Sequence, residues 1–157
     1  RRWQVERVMY LCTYAARGEL DQVKRVLSAG LPVNASDENG RSAVHVAASE
    51  GHSHVVEYLL DQGADPHQKD SIGHNVLTAA VMDEHDGLAR TLLRYDAGLK
   101  LSLSESASAV RMCYAAFRGQ THLIERFLEF GVSVNAADYD KRTPLHLAVT
   151  GDNLPVV

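Results

Sequence analysis

The chain has 157 residues, of which 45% are hydrophobic, so its composition permits an ordinary soluble core. Its formal net charge of −4, with acidic and basic residues interspersed, provides no basic stripe and argues against nucleic acid as a ligand. No apolar run approaches the length of about 20 residues that a membrane span needs, and the Arg-Arg-Trp start lacks the apolar core of a signal peptide. These features predict a cytoplasmic protein, with the nucleus as the alternative, that does not insert into membranes.

An internal repeat organises the chain. A shift of the sequence by 33 residues superimposes Gly18 on Gly51, Leu27 on Leu60, Gly30 on Gly63, Ala47 on Ala80, His52 on His85 and Leu59 on Leu92. A shift of 101 residues matches Cys12 with Cys113 and Val33-Asn34-Ala35 with Val134-Asn135-Ala136. We therefore divide a single domain, 1–157, into repeats at about 4–36, 37–69, 70–104, 105–137 and 138–157, the fifth being incomplete.

The second repeat shows how each unit begins. Asp37-Glu38-Asn39-Gly40 predicts a tight hairpin turn, called a finger below, because Asn-Gly accommodates positive φ at both central positions. Ser42 is then suited to cap a first helix, and Thr143 has the same role ahead of Pro144. Gly51 is predicted to end that helix in the left-handed conformation.

Apolar residues at helical spacing predict a second helix in each unit. In the second repeat they are Val55, Val56, Leu59 and Leu60, after which Gly63 ends the helix. Two short helices cannot close a core alone, so we expect Leu59, Leu60, Leu92 and Leu93 to fill the layers between neighbouring repeats. The predicted fold class is an all-α repeat solenoid of helix pairs.

Two repeats depart from this pattern. Gln4-Val5-Glu6-Arg7 in the first repeat and Glu105-Ser106-Ala107-Ser108 in the fourth stand where a finger is expected, and neither contains the Asp-x-x-Gly turn. We expect both stretches to continue as helix. Ser102, with Glu105 three residues later, predicts a capping box for the lengthened first helix of the fourth repeat.

Two stretches closely resemble the ankyrin repeat. Residues 138–148 read Asp-Tyr-Asp-Lys-Arg-Thr-Pro-Leu-His-Leu-Ala, and residues 40–48 read Gly-Arg-Ser-Ala-Val-His-Val-Ala-Ala. The Gly-His…Val-Val…Leu-Leu…Gly-Ala-Asp frame of 51–65 is similar to the same family, and the resemblance covers nearly the whole chain. It implies antiparallel helix pairs with β-hairpin fingers, curved so that fingers and first helices form a concave protein-binding face.

The arrangement of repeats also resembles ankyrin segments of larger proteins. Three repeats followed by a fingerless, Ser-rich fourth are similar to the tails of some asparaginase or lysophospholipase enzymes, whereas 11–51 resembles the cytosolic segments of plant-type voltage-gated potassium channels. Val157 falls inside the second helix of the last repeat, where Leu154, Val156 and Val157 would expose an apolar stripe. We therefore expect these residues to be frayed and the protein to continue beyond them.

The repeat accounts for the residues that could otherwise carry chemistry. Cys12 and Cys113 occupy one position three repeats apart, a separation of roughly 25–30 Å that predicts two reduced thiols rather than a disulfide. His45 and His146 occupy the motif position at which the family uses an imidazole to hydrogen-bond the turn. No zinc-ligand spacing, catalytic serine motif or phosphate-binding loop occurs, so we expect no metal, no cofactor and no active site in this segment.

A partner is expected at the variable positions of the frame, which are the finger tips, the residue after the finger glycine and the last residues of each first helix. These positions hold Arg17, Glu38, Asn39, Arg41, Glu50, Ile72, His74, Met82, Asp83, Phe117, Arg118, Tyr139, Asp140 and Arg142. Ile72, Met82, Phe117 and Tyr139 are apolar or aromatic where polar side chains suffice, which favours interface anchors, although single exposed apolar residues are also normal.

The charged residues of the predicted site indicate the chemistry of the partner. Arg41, Arg118 and Arg142 predict a basic rim, and hence an acidic epitope on the partner. The partner is either another protein or another domain of the same chain. In the second case the segment serves as a spacer, regulatory or oligomerisation arm of its host.

Overall fold

The fold is given by a computed structural model that describes residues 2–96, 98–103 and 105–152. Over these ranges there are nine α-helices and no β-strand, apart from one bridge between Ser36 and Ser42. The helices are α1 Arg2–Arg17, α2 Leu20–Ser28, α3 Ala43–Ser49, α4 Ser53–Asp61, α5 Val76–Met82, α6 Asp86–Tyr95, α7 Glu105–Phe117, α8 Thr121–Glu129 and α9 Pro144–Thr150. The chain divides into an N-terminal unit, Arg1–Ser102, and a C-terminal unit, Leu103–Val157, and the single domain over 1–157 stays a prediction.

The N-terminal unit consists of three helix pairs. In each pair, α1 with α2, α3 with α4 and α5 with α6, a first helix packs against the second helix that follows it. The first helices also pack on one another, α1 on α3 and α3 on α5. Ala43, Ala47 and Ala48 are fully buried, and such small side chains allow neighbouring helix axes to approach closely. The predicted helix pairs are thus confirmed in this unit.

The second helices contribute several buried leucines to the core. Leu59 and Leu60 on α4 and Leu92 on α6 are buried, as the spacing of the apolar residues predicts, whereas Leu93 is only half-buried. Removing a leucine side chain from water contributes about 1.5–3 kcal/mol. Burial of these leucines, together with that of Leu11 on α1 and Leu77 on α5, is therefore a principal source of stability in this unit.

The finger at 37–41 is a turn closed by one carboxylate. The Asp37 carbonyl accepts the Gly40 N–H at 2.9 Å, and the Asp37 Oδ1 atom accepts the N–H groups of Asn39 and Arg41, each at 2.9 Å. Only Gly40 has a positive φ, +70°, so the prediction of positive φ at both Asn39 and Gly40 was wrong. The reason is that the Asp37 carboxylate accepts the backbone N–H of Asn39. This hydrogen bond fixes a turn in which Gly40 alone is left-handed.

The turns at 70–74 and 138–142 repeat this hydrogen-bond pattern. Asp70 Oδ1 accepts the N–H groups of Ile72 and His74 at 3.1 and 2.8 Å, and Asp138 Oδ1 accepts those of Asp140 and Arg142 at 3.0 and 2.9 Å. The aspartate therefore defines the finger at three places along the chain.

Glycines end the first helices where histidine rings pack closely. Gly18 and Gly51 have φ values of +71° and +77°, and a Cβ atom added to Gly51 would lie 2.6 Å from Nδ1 of His85. The other ring nitrogen, Nε2 of His85, donates to the Ser49 carbonyl at 2.8 Å, and Nε2 of His52 donates to the Ala16 carbonyl at 2.9 Å. Each histidine thus fastens the start of a second helix to the end of the preceding repeat's first helix.

The C-terminal unit contains the helix pair α7 and α8, the finger at 138–142, and α9, which packs on α7. Both fingerless stretches are helical, as expected, since α1 includes residues 4–7 and α7 includes residues 105–108. Leu154, Val156 and Val157, for which fraying is predicted, lie outside the described residues.

The predicted capping box of Ser102 and Glu105 was wrong. Ser102 Oγ accepts the N–H of Asn75 at 2.6 Å, and the Ser102 N–H donates to Thr78 Oγ1 at 2.8 Å. These bonds commit Ser102 to the start of α5, and α7 begins only at Glu105.

Candidate partner-binding site

Three clefts lie where a finger meets first helices. The first cleft, of about 550 Å³, lies between the start of α1 and the finger at 37–41. The second cleft, of about 420 Å³, lies between α3, α5 and the finger at 70–74. Both belong to the N-terminal unit, whereas the third cleft, of about 410 Å³, lies in the C-terminal unit between α7, α9 and the finger at 138–142.

Most of the residues predicted to bind a partner line these clefts. Glu38 and Asn39 line the first; Arg41, Glu50, Ile72, His74, Met82 and Asp83 line the second; Phe117, Tyr139, Asp140 and Arg142 line the third. Arg17 and Arg118 are exposed and line none of the three. The structure therefore brings the four predicted anchors together as two pairs, one in each unit, and their role in binding stays a prediction.

The third cleft is lined by aromatic side chains. Tyr139 on the finger is 82% exposed, and Tyr114 and Phe117 on α7 are 62% and 47% exposed. Sequence reasoning missed Tyr114 and its neighbour Val110. A signal was available, because Tyr114 lies three residues before Phe117 on the same side of a helix, at the position of the smaller Ala79 in α5.

Two of the three arginines of the predicted basic rim, Arg41 and Arg142, are paired with aspartates of their own fingers. Arg142 contacts Asp138 Oδ2 and Asp140 Oδ2, each at 2.9 Å, and Arg41 contacts Asp37 Oδ2 at 3.3 Å. The backbone N–H of Arg142, followed by its side chain, lowers the pKa of Asp138, so this pair is charged at neutral pH. This pairing follows from the turn itself, because the finger aspartate lies four residues before the arginine and within its reach.

His45 is a neutral structural ring at the wall of the second cleft. Its Nδ1 accepts the backbone N–H of Ser42 at 3.3 Å, so the ring proton is on Nε2, which donates to the Gln68 carbonyl at 2.9 Å. Burial lowers the pKa of His45, which keeps the ring in this neutral form. His45 thus bonds the neighbouring finger region, as the motif implies.

Both cysteines occupy the position equivalent to that of His45. Cys12 donates to the Arg41 carbonyl at 3.9 Å and Cys113 to the Arg142 carbonyl at 3.3 Å. Both are free, as predicted, and burial raises the pKa of Cys12 to about 11. A buried thiol with so high a pKa is unreactive at neutral pH, which fits a structural role.

The described side chains and helices also bear on metal binding and on membrane insertion. Across residues 2–96, 98–103 and 105–152, no three His, Cys, Asp or Glu side chains come together in a way that could hold a metal ion. Among the helices of those same ranges, none has both the length and the apolar character required to cross a bilayer.

Helix pairs that recur along the chain, joined by turns that meet the first helices at open clefts, define a helical repeat protein of the interaction class. The comparisons identify the family: a family model described as ankyrin repeats (3 copies) matches residues 9–105, and one described as ankyrin repeats (many copies) matches residues 112–157. The chain belongs to the ankyrin repeat family, whose members are protein-interaction modules and generally non-catalytic.

Relatives of this chain include much larger proteins. An L-asparaginase of Dirofilaria immitis is 37% identical over 94% of the chain, which spans 25% of that enzyme. Potassium channel KOR1 of Oryza sativa subsp. japonica is 39% identical over 83% of the chain, covering 15% of the channel. A putative ankyrin repeat protein of fowlpox virus is 29% identical over 78% of the chain and 84% of the viral protein. Ankyrin segments similar to this one thus occur both within large proteins and as most of a small one.

Proposed function

We propose that this chain is a non-catalytic binding module that holds a partner protein, or another domain of its own polypeptide, in the clefts between fingers and first helices. The observation that carries the proposal is the exposure of large apolar side chains in two of these clefts, Ile72 at 72% and Tyr139 at 82%. The fold does not require such side chains, because the finger is closed by backbone and aspartate hydrogen bonds. Exposed apolar side chains in concave sites are typical of interfaces.

The third cleft provides the best anchors of a partner. Phe117, Tyr114 and Tyr139 present aromatic rings around a cavity of about 410 Å³, a volume suited to one or two inserted side chains. Aromatic residues dominate the energetics of protein interfaces because they bury much apolar area at a small entropic cost. We therefore assign the partner's main contact in the C-terminal unit to this cleft.

A second candidate function is that of an arm within a larger host. It is favoured by the comparisons, since the chain spans only 25% of the similar asparaginase and 15% of the similar channel. In that case the same clefts hold a domain of the host itself. Either way the protein is proposed to work in the cytoplasm or nucleus, which is supported by two cysteines that are free and buried.

The test is a selection of peptides from a displayed library against residues 1–157, followed by affinity measurements on variants. For peptides that bind the third cleft, we expect the double variant Phe117→Ala/Tyr139→Ala to weaken binding by about 2 kcal/mol or more, the usual loss at a hot spot. Melting temperatures of the variants verify that the fold is retained.

The matched control is Leu128→Ala on α8, because Leu128 is an apolar residue of the same unit, 41% exposed, that lines none of the clefts. It should leave binding unchanged. If every selected peptide is lost with Leu128→Ala but retained by both the Phe117/Tyr139 variant and Ile72→Ala, the working surface is the second helices and the proposal fails. Cross-linking within a complete host protein separates an external partner from an internal domain.

A further inference from the structure

The second cleft is lined by both apolar and acidic side chains. Ile72 at the finger tip, 72% exposed, and the half-buried Met82 and Ala79 on α5 supply the apolar surface. Glu50 and Asp83 are the residues that directly follow α3 and α5, so the two carboxylates stand at the ends of neighbouring first helices and line the same cleft.

These two carboxylates have no partner cation in the part of the chain that the structure describes. Among the described residues, no cationic side chain lies within ion-pair distance of Glu50 or Asp83. Arg41 is the cation among the residues that line the cleft, and its guanidinium contacts Asp37 at 3.3 Å. A third lining carboxylate, Asp70, accepts backbone N–H groups. The cleft therefore carries an excess of negative charge beside exposed apolar surface.

Folding does not account for the acidic residues at these places. The C-terminal end of a helix carries partial negative charge, so a cation is favoured there and a carboxylate is disfavoured. The equivalent positions of the first and fourth repeats hold Arg17 and Arg118, so the repeat does not require an acid. Charges that oppose the helix dipole, and that meet no cation among the described residues, are more readily explained by a ligand than by stability.

We propose that the second cleft binds a basic peptide segment, in which an apolar side chain packs on Ile72 and Met82 while flanking Arg or Lys side chains meet Glu50 and Asp83. This inference rests on the proposed function and specifies the chemistry of the partner. It replaces the acidic epitope that the arginines predict in the sequence, because Arg41 is paired within its own finger. The occupant is a segment of protein, since its apolar side chain must enter a cleft of about 420 Å³.

The test uses three short synthetic peptides that share a central leucine flanked by arginines, glutamates or serines, with residues 1–157 as the receptor. The arginine peptide should bind about 10-fold more tightly than the others, and its affinity should fall with added salt. The double variant Glu50→Gln/Asp83→Asn should weaken it by about 5- to 10-fold, as expected for two exposed ion pairs. Because it removes charges that oppose the helix dipoles, this variant should melt no lower than wild type.

The matched control is Glu57→Gln/Asp61→Asn on α4, which makes the same change of net charge at exposed residues that line none of the clefts. It should change binding by less than about twofold. Equal weakening by both double variants would overturn the inference, because the attraction would then arise from net charge alone.

Two other outcomes separate this inference from the proposed function. If the serine or glutamate peptide binds as tightly as the arginine peptide, and Ile72→Ala abolishes that binding, the cleft holds protein segments but not basic ones, so only the inference fails. If no peptide binds the wild-type chain, the inference also fails, while the display selection judges the proposed function separately.

Discussion

At the scale of single residues, Cys12, His45 and Cys113 occupy the same position in their repeats. The side chain at this position bonds the first helix to the finger region of the next repeat. Cys12 and Cys113 donate to carbonyls of the next finger, and His45 donates to the Gln68 carbonyl just ahead of one. A backbone carbonyl accepts any donor that reaches it, so thiol and imidazole serve the same purpose. In a sequence, cysteine and histidine suggest a disulfide, a metal site or catalysis, but here their role is structural.

Gly51 allows a direct test of close packing at the end of α3. Alanine there would adopt φ +77° and would also place its Cβ atom 2.6 Å from the His85 ring, whereas a Cβ atom on Gly63 at φ +87° meets nothing within 4 Å. We expect Gly63→Ala to cost about 1–2 kcal/mol from the left-handed backbone alone. Gly51→Ala should cost clearly more, measured by urea unfolding.

The excess cost at Gly51 should depend on the imidazole. In the background of His85→Ala, the additional loss from Gly51→Ala should approach that of Gly63→Ala, because the clashing ring is gone. Equal losses for the two glycine variants in the wild-type background would show that the His85 ring moves aside freely, contrary to the packing described above.

At the scale of elements, the same position in different repeats has different burial. Leu60 on α4 and Leu128 on α8 are equivalent in the repeat, yet Leu60 is 4% exposed and Leu128 is 41% exposed. Leu60→Ala should therefore lower the free energy of unfolding by about 2–5 kcal/mol, the range for a buried leucine. Leu128→Ala should cost less than about 1 kcal/mol, as for other surface positions.

Urea unfolding of the two leucine variants, with circular dichroism as the signal, measures this difference. Similar losses for Leu60→Ala and Leu128→Ala would contradict the assignment of Leu60 to a layer between helices. A loss of stability at Leu128 alone would contradict both the burial of Leu60 and the exposure of Leu128.

The elements were largely predictable from the sequence because their signals are local. Glycine ends the helices at Gly18 and Gly51, and helical spacing marks the stripe that contains Leu59 and Leu60. The two predictions that were wrong, for Asn39 and for Ser102, depended on side-chain hydrogen bonds that sequence patterns do not show. The Asn39 conformation is set by a carboxylate of its own turn, and Ser102 is drawn to Asn75, 27 residues earlier.

At the scale of the whole chain, the clefts contain most of the residues that the sequence predicts at the site, but their charge was not predictable. The repeat frame indicates which positions the fold does not need, and most of these positions line clefts. The sign of the net charge in each cleft could not be predicted from the residue types alone. Arg41 and Arg142 are paired with finger aspartates, whereas Glu50 and Asp83 lack cationic partners among the described residues. Ion pairing depends on the turn geometry, which places the carboxylate beside the guanidinium.

The central claim is that partners occupy the clefts between fingers and first helices. Hydroxyl-radical footprinting of residues 1–157, alone and saturated with a display-selected peptide, tests it most directly because it reports the exposure of individual side chains. We expect labelling to fall at Ile72 and Met82, or at Phe117 and Tyr139, while Tyr95 and Leu128 on the second helices are labelled as before. Protection of Tyr95 or Leu128, with all four cleft residues unchanged, would contradict it.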